Sequence, residues 1–204
     1  GPLTQDAMGN ERVRVRNVAR PVDRPDSSRM SRRFFGLDGS PPEAAESHSS
    51  RLADQLARRP ELFEGLFDSS SFDAPPAAAH FAAQLANTMR GHPYDLALDR
   101  VRRVVNERRF ALGVQLIDQR SNPLEVAAGY ARVAEGTLLA LGNAAVDQFE
   151  ESHGRFPGGE LLVLGLGRLG GCALTHASDL DIIYLHTAPP QTTSDGRKPL
   201  GPND

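Results

Sequence analysis

The chain has 204 residues, a net charge of −3 at pH 7 and an apolar fraction of 39%. This length allows one good domain or two small ones, and the weakly acidic balance excludes the general polyanion-binding surface of a nucleic-acid module. The single cysteine, Cys172, excludes an internal disulfide and is typical of a reducing compartment. No apolar run approaches the ~20 residues of a membrane span and no secretory signal is visible, so the sequence predicts a cytoplasmic protein without membrane contact.

Residues 1 to about 50 are rich in Arg, Pro, Ser and Asp and contain only short apolar pieces. Such a composition buries too little surface to offset the entropy of the chain, so we expect residues 1–50 to be a poorly ordered arm. One alternative is a single strand or turn where Val13 to Val18 alternate with polar residues. An unstructured leader is the favoured interpretation.

Helical periodicity begins at Pro42 and predicts a helical region over residues 51–153. Two long amphipathic helices are expected in it, one from Tyr94 to Ile117 and one that ends near Gly154. Breaking and capping residues divide the region at Pro60, at Ser69 to Pro76, at Gly91-His92-Pro93 and at Ser121-Asn122-Pro123.

The arginines between Arg100 and Arg109 allow two interpretations. They could bind phosphate, or they could form the solvated outer face of an amphipathic helix. The solvated face is favoured because burial of the opposite face alone requires charged residues there.

Residues 154–204 change from helical to continuous apolar patterning. Leu161 to Leu164 predicts one short buried strand, and Asp179 to Leu185 predicts a second. The tail from Thr187 to Asp204 has four prolines and several turn signals. Two strands do not make a stable sheet alone, so we expect an α+β fold that is truncated inside its last domain.

Two carboxylates, Asp179 and Asp181, head the second predicted strand. Side chains alternate along an extended segment, so we expect both carboxylates on the same face. Neighbouring carboxylates repel each other and require a proton, an arginine or a divalent cation nearby. Of these, Mg²⁺ held by carboxylates and substrate phosphates is favoured, which indicates phosphoryl chemistry.

The glycine turn from Gly165 to Gly170 satisfies G-x-G-x-x-G, which is also typical of dinucleotide-binding proteins. Only Gly171 to Ser178 separate this turn from Asp179. A parallel crossover needs at least ~10–12 residues including its helix, so the dinucleotide-binding interpretation is the weaker one. The favoured interpretation is a phosphate cradle.

In this cradle, glycine N–H groups point at a triphosphate and Arg168 adds a charged contact. The alternative is that the glycines only permit close packing and that Arg168 faces solvent. His176 is interpreted as a helix-end cap in preference to a substrate contact, and Cys172 as a small buried residue.

The combination of glycine turn, short loop and D-x-D resembles the signature of the DNA polymerase beta-like nucleotidyltransferases. The fuller string GLGRLGG…SDLDIIYL is similar to the glutamine synthetase adenylyltransferase family, whose proteins carry two such domains. One domain attaches AMP to a tyrosine of glutamine synthetase, and the other removes it by phosphorolysis. Upstream, RLADQLARRPELFEGLFD and RRFALGVQLIDQRSNPLEVAAGYARVAEGTLLAL resemble the helical region before the carboxy-terminal, adenylyl-attaching domain. The resemblance covers residues 51 to about 190.

This resemblance implies that residues 154–204 are the amino-terminal part of a nucleotidyltransferase catalytic domain. It implies Mg²⁺ and ATP as cofactor and substrate, glutamine synthetase as the protein substrate, and a PII-type signalling protein as regulator. Asp179 and Asp181 would be the catalytic and metal-binding residues, and the nucleotide would be bordered by Gly167, Arg168, Gly170, Gly171 and Ser178.

The resemblance also implies a third carboxylate on a later strand, beyond Asp204, so we expect the chain alone to be inactive. Family members usually have Arg-Glu where this chain has Cys172-Ala173. Two other functions are weighed beside adenylyl attachment. They are the adenylyl-removing domain of the same enzyme and a non-catalytic helical interaction module.

Overall fold

The computed structural model describes residues 13–17, 43–64, 73, 76–118 and 121–201. A series of helices is followed by a small sheet, which confirms the predicted α+β class. The elements in chain order are β1 (Val13–Asn17), α1 (Glu43–Arg58), α2 (Glu61–Glu64), α3 (Ala78–Met89), α4 (Tyr94–Ile117), α5 (Pro123–His153), β2 (Glu160–Gly165), α6 (Gly167–Gly170) and β3 (Ile182–Thr187).

The helices begin and end where the local sequence dictates. The Asn122 side chain caps α5 by accepting a hydrogen bond from the Leu124 N–H at 2.9 Å, and Pro123 fits the first turn because it has no N–H to satisfy. Gly154 ends α5 with a φ of +74°, which a glycine adopts without steric cost. Both predicted long helices are confirmed, and the predicted break at Pro60 separates α1 from α2.

The main core lies between α3, α4, α5 and the sheet. Its fully buried side chains include Phe81, Leu85 and Leu112. A glycine brings α3 close to α5, because a Cβ at Gly136 would come within 2.7 Å of the Ala78 carbonyl oxygen. Close helix packing therefore depends on the missing side chain at this position.

Within the described residues the sheet has three strands, in the order β1-β2-β3. β1 runs parallel to β2, from Val13 opposite Leu161 to Asn17 opposite Gly165. β2 runs antiparallel to β3, so residues 166–181 form the connection of an antiparallel pair and not a parallel crossover. This topology removes the dinucleotide-binding interpretation, which requires parallel strands joined by a full helix.

The described part of the predicted arm is structured. Val13 is fully buried and Val15 is 8% exposed, and both pack in the main core, while α1 begins at Glu43. The favoured interpretation of an unstructured leader is wrong for these segments, and the alternative of one strand is correct at residues 13–17. Residues 1–12 and 18–42 lie outside the described part. The division into an arm, a helical region and a catalytic part at residues 50 and 153 stays a prediction.

β3 begins later than predicted, at Ile182 instead of Asp179. The two aspartates therefore lie in the loop just before the strand, and the expectation that they share one face of a strand is not met. Strand pairing begins at Gly165 and Ile182, because the chain leaves the ladder at Leu166 to enter the glycine turn.

The outer strand β3 is apolar but exposed. Ile183, Tyr184 and Leu185 are 44%, 61% and 45% exposed among the described residues. None of the helices in the described ranges has the length and apolar character that crossing a membrane requires.

The tail folds back over the carboxy-terminal end of α5. The Gly196 N–H donates to the His153 carbonyl oxygen at 3.0 Å, and the Arg155 N–H donates to the Asp195 carboxylate at 2.6 Å. A Cβ at Gly196 would collide with the Gly154 N and with the His153 carbonyl group. The crossing of the two segments therefore requires glycine at this point.

Candidate functional site

The glycine turn lies directly against the second aspartate. Gly167 has a φ of +52°, and a Cβ there would collide with the Asp181 carboxylate oxygen Oδ2. The Leu166 N–H donates to the Asp181 carbonyl oxygen at 2.8 Å, while the fully buried Leu169 anchors the turn in the core. The structure thus brings the predicted glycine turn and the second half of D-x-D into contact.

Both carboxylates of the D-x-D segment are exposed. Within the described residues, no three His, Cys, Asp or Glu side chains are grouped closely enough to hold a metal ion. Proteins commonly bind Mg²⁺ through only one or two carboxylates, with water and substrate phosphates completing its shell. Asp179 and Asp181 fit a site of this kind with two protein carboxylates, since both are exposed and Asp181 contacts the glycine turn.

Arg168 and Ser178 face each other across the connection between β2 and β3. The Arg168 Nη1 donates to Ser178 Oγ at 3.4 Å. Ser178 Oγ also accepts from the Thr175 N–H at 2.9 Å and lies 2.9 Å from the Thr175 hydroxyl oxygen. Arg168 is exposed, so its positive charge lies at the surface beside the serine that precedes Asp179.

The last two glycines of the turn use their N–H groups internally. Gly170 is buried and donates to the Leu166 carbonyl oxygen at 2.8 Å, and Gly171 donates to the Gly167 carbonyl oxygen at 3.0 Å. These donors are occupied within the turn, which differs from the predicted cradle of N–H groups aimed at a triphosphate. Nucleotide binding next to Gly170 and Gly171 stays a prediction, and their contribution to it would be the shape of the turn.

A buried tyrosine and an arginine connect the loop to the helices. The Arg109 Nη2 on α4 donates to the His176 carbonyl oxygen at 2.6 Å. The Tyr130 hydroxyl on α5 donates to the Arg109 carbonyl oxygen at 3.0 Å and lies 3.4 Å from His176 Nδ1. Burial raises the pKa of the Tyr130 hydroxyl, and the Arg109 charge only partly opposes that rise.

Two interpretations from the sequence are corrected here. Arg109 does not belong to a solvated face, because it is half-buried and binds the loop. His176 lies in a turn of the loop and does not cap a helix. The sequence signal for Tyr130 was only its place in an apolar stripe, and a hydroxyl in such a stripe requires a polar partner when it is buried.

Cys172 also differs from the prediction of a small buried residue. It is exposed, and its φ of +52° is unusual for a residue with a side chain. Its N–H donates to the Leu169 carbonyl oxygen at 3.0 Å, which closes the glycine turn.

A cavity of about 510 Å³ lies at the other end of the strands. It is lined mainly by the end of α5, the start of β2, the end of β3 and the tail, with Phe149 and Phe156 among its apolar walls. Because the glycine turn follows the end of β2 and D-x-D precedes the start of β3, this cavity is separate from the candidate site.

Comparison with known proteins identifies relatives over most of the chain. The sequence profile described as glutamate-ammonia ligase adenylyltransferase matches residues 44–204. That range contains the helices α4 and α5, the glycine turn and D-x-D, whereas strand β1 lies before it.

Three curated relatives share the name bifunctional glutamine synthetase adenylyltransferase/adenylyl-removing enzyme. The protein of Rhizobium meliloti (strain 1021) is 33% identical over 158 residues, which are 76% of this chain and 16% of that protein. The protein of Bradyrhizobium sp. (strain ORS 278) is 35% identical over 152 residues, 74% of this chain and 15% of that protein. The protein of Xanthobacter autotrophicus (strain Py2) is 37% identical over 153 residues, 74% of this chain and 16% of that protein. The chain thus matches about one sixth of the length of these relatives.

Proposed function

This chain belongs to the glutamate-ammonia ligase adenylyltransferase family, and we propose that it contributes part of a site that transfers AMP from ATP to a tyrosine of glutamine synthetase. The proposal assigns the glycine turn and D-x-D to nucleotide and metal binding. It assigns the helices α4 and α5 to support of that site. A PII-type signalling protein as regulator belongs to the same proposal.

One observation carries the proposal. The carboxylate of Asp181 lies against the backbone of Gly167, so that a side chain at Gly167 would displace it. If the Gly167 backbone borders the triphosphate and Asp181 binds its Mg²⁺, as we propose, this contact would bring the two partners of a metal-bound triphosphate side by side. Simple close packing of the turn does not require an exposed carboxylate at that point.

In this proposal Asp179 and Asp181 hold Mg²⁺. Bound Mg²⁺ would orient the ATP phosphates and neutralise the charge that develops on them. Gly167 leaves room for the Asp181 carboxylate, and Arg168 supplies a positive charge beside Ser178 for a phosphate oxygen. The Ser178 hydroxyl keeps the approach to Asp179 in one conformation through its hydrogen bond from Thr175.

The proposal is tested by replacing the carboxylates in the full-length protein. Asp179→Asn and Asp181→Asn keep the size of each side chain but remove its charge, so we expect AMP transfer to glutamine synthetase to fall by about 100-fold or more. Asp54→Asn on α1 is the matched control, since Asp54 is exposed and lies on a helix that packs against α4. Full activity in Asp181→Asn, with Mg²⁺ required as before, would contradict the metal assignment.

The direction of the reaction is a second part of the proposal. The names of the relatives include both an adenylyl-attaching and an adenylyl-removing activity. We assign attachment, because the Thr175-His176-Ala177-Ser178 approach to Asp179 resembles the attaching domain. The phosphate-dependent release of ADP from adenylylated glutamine synthetase would be lost in Asp181→Asn if this chain belonged to the removing domain. We expect that release to be unchanged.

A further inference from the structure

We propose that Arg109, Tyr130 and His176 are positioning residues for the D-x-D segment, and we call them the positioning cluster. They hold the loop that leads into Asp179 in the orientation that AMP transfer requires. This inference rests on the proposed function for its catalytic consequence. Its structural part concerns the order of residues 177–181 and is measurable without catalysis.

The positioning cluster joins three distant parts of the chain. Arg109 lies on α4, Tyr130 lies on α5, and His176 lies in the loop three residues before Asp179. The Arg109 guanidinium binds the His176 backbone at 2.6 Å, a short charge-assisted hydrogen bond. The Tyr130 and His176 rings meet edge to face, with centroids 6.1 Å apart and planes inclined by 68°.

The hydrogen bonds of Tyr130 favour one tautomer of His176. The Tyr130 hydroxyl has one hydrogen and donates it to the Arg109 carbonyl oxygen. The hydroxyl can then only accept at the 3.4 Å contact with His176 Nδ1, and the inference takes the tautomer in which Nδ1 carries the proton. The Tyr130 hydroxyl thus bonds to the Arg109 carbonyl oxygen on α4 and to His176 in the loop, which makes it the centre of the cluster.

The D-x-D segment is held from both ends. On one side Leu174 and Thr175 are buried, and the Thr175 N–H donates a hydrogen bond to Ser178 Oγ. The positioning cluster holds His176, which lies between Thr175 and Ser178 in the sequence. On the other side the Asp181 carbonyl oxygen accepts from the Leu166 N–H. Loss of the positioning cluster releases the first end only, so Asp179 should move more than Asp181.

A positioning residue must be separated from a residue that only stabilises the fold. Misplacement of a catalytic group by about 1 Å costs about 100-fold in rate, whereas a purely structural loss lowers the folded fraction and leaves the rate per folded molecule unchanged. The matched substitutions are therefore judged by kcat per folded protein and by local amide exchange below the unfolding temperature.

The first test is Tyr130→Phe on α5, which keeps the ring and removes the hydroxyl, with Tyr94→Phe at the start of α4 as control. In the full-length protein we expect Tyr130→Phe to lower kcat about 10–100-fold with an unchanged KM for glutamine synthetase. Amides of residues 177–181 should exchange faster, while those in the middle of α5 should not. Either wild-type kcat in Tyr130→Phe or wild-type exchange at residues 177–181 would overturn the positioning role.

The second test compares two substitutions of His176. The amide nitrogen of Asn can replace Nδ1 as a donor to Tyr130, whereas that of Gln reaches the place of Nε2 instead. We therefore expect His176→Asn to keep most of the activity and the slow exchange, and His176→Gln to behave like Tyr130→Phe. The reverse order would show that His176 acts through Nε2 on a substrate, and it would overturn the inference.

The two proposals fail in different ways. If the wild-type protein transfers no AMP, the proposed function fails, and the exchange rates of residues 177–181 still decide whether the cluster holds the loop. If the wild type transfers AMP and Tyr130→Phe does so equally well, the proposed function stands and the positioning role is wrong.

Discussion

Gly167→Ala tests whether the glycine turn makes room for the carboxylate. Its backbone has a φ of +52°, and its new Cβ would collide with Asp181 Oδ2. Gly91→Ala is the matched control, because Gly91 has a φ of +76° and, apart from its chain neighbours, no atom of the described residues lies within 4 Å of a Cβ there. Both variants carry the backbone strain, and only Gly167→Ala displaces the carboxylate.

The left-handed conformation costs a residue with a side chain roughly 1–2 kcal/mol. A chain of this size loses ~2–4 °C of melting temperature per kcal/mol, so both variants should unfold about 2–8 °C below the wild type. Asp181 must also swing away from Gly167 in Gly167→Ala. Disturbing a neighbour of a metal ligand typically costs about 10–100-fold in metal affinity. We expect that loss in Gly167→Ala and no loss in Gly91→Ala.

Circular dichroism measures the two melting temperatures, and isothermal titration calorimetry measures the affinity of the full-length protein for Mg²⁺ with a non-hydrolysable ATP analogue. Equal affinities in Gly167→Ala and Gly91→Ala would refute the reasoning, since the carboxylate would then not need the space at Gly167. A melting temperature of Gly91→Ala at or above that of the wild type would refute the assumed cost of the backbone conformation.

Three further predictions concern stability and are checked by thermal unfolding. Gly136→Ala should lower the free energy of unfolding by about 1–3 kcal/mol, because its Cβ would come within 2.7 Å of the Ala78 carbonyl oxygen on the facing helix. An unchanged melting temperature would show that the two helices can move apart without loss of stability. Burial raises the pKa of Glu107, so the folded state holds this proton more tightly than the unfolded state and stability is lost as pH rises above the ordinary value of 4.5. Glu107→Gln should therefore melt higher than the wild type at pH 7 and lose that advantage below about pH 4, whereas an advantage that is independent of pH would contradict the assignment. Gly196→Ala should release the tail from the end of α5, seen as faster amide exchange at Gly154 and a lower melting temperature, and wild-type exchange there would contradict the close crossing.

Elements with strong local signals were predictable from the sequence. The long helices α4 and α5 have their predicted limits, because proline and a capping asparagine start α5 and a left-handed glycine ends it. These effects act within a few residues, so the local sequence is sufficient to predict them. The family resemblance assigned the glycine turn and D-x-D to one site, and the contact between Gly167 and Asp181 is a finding of the structure.

Features that depend on distant partners were not predictable in the same way. Val13 and Val15 form a strand because β2, almost 150 residues later, offers an edge and a core to pack against. The start of β3 is set by its pairing with β2 and not by the residues around Asp179. Arg109 appeared to be one of several surface arginines, and only the folded loop gives it the His176 carbonyl oxygen as partner.

The central claim is that the glycine turn and D-x-D transfer a nucleotidyl group. The most direct measurement follows ATP labelled in the α-phosphate, and separately in the γ-phosphate, in reactions of the full-length protein with glutamine synthetase and Mg²⁺. We predict that the α-label becomes covalently attached to a tyrosine of glutamine synthetase in the wild type and not in Asp181→Asn, and that the γ-label does not become attached. Attachment of the γ-label, or equal attachment of the α-label in Asp181→Asn, would contradict the account.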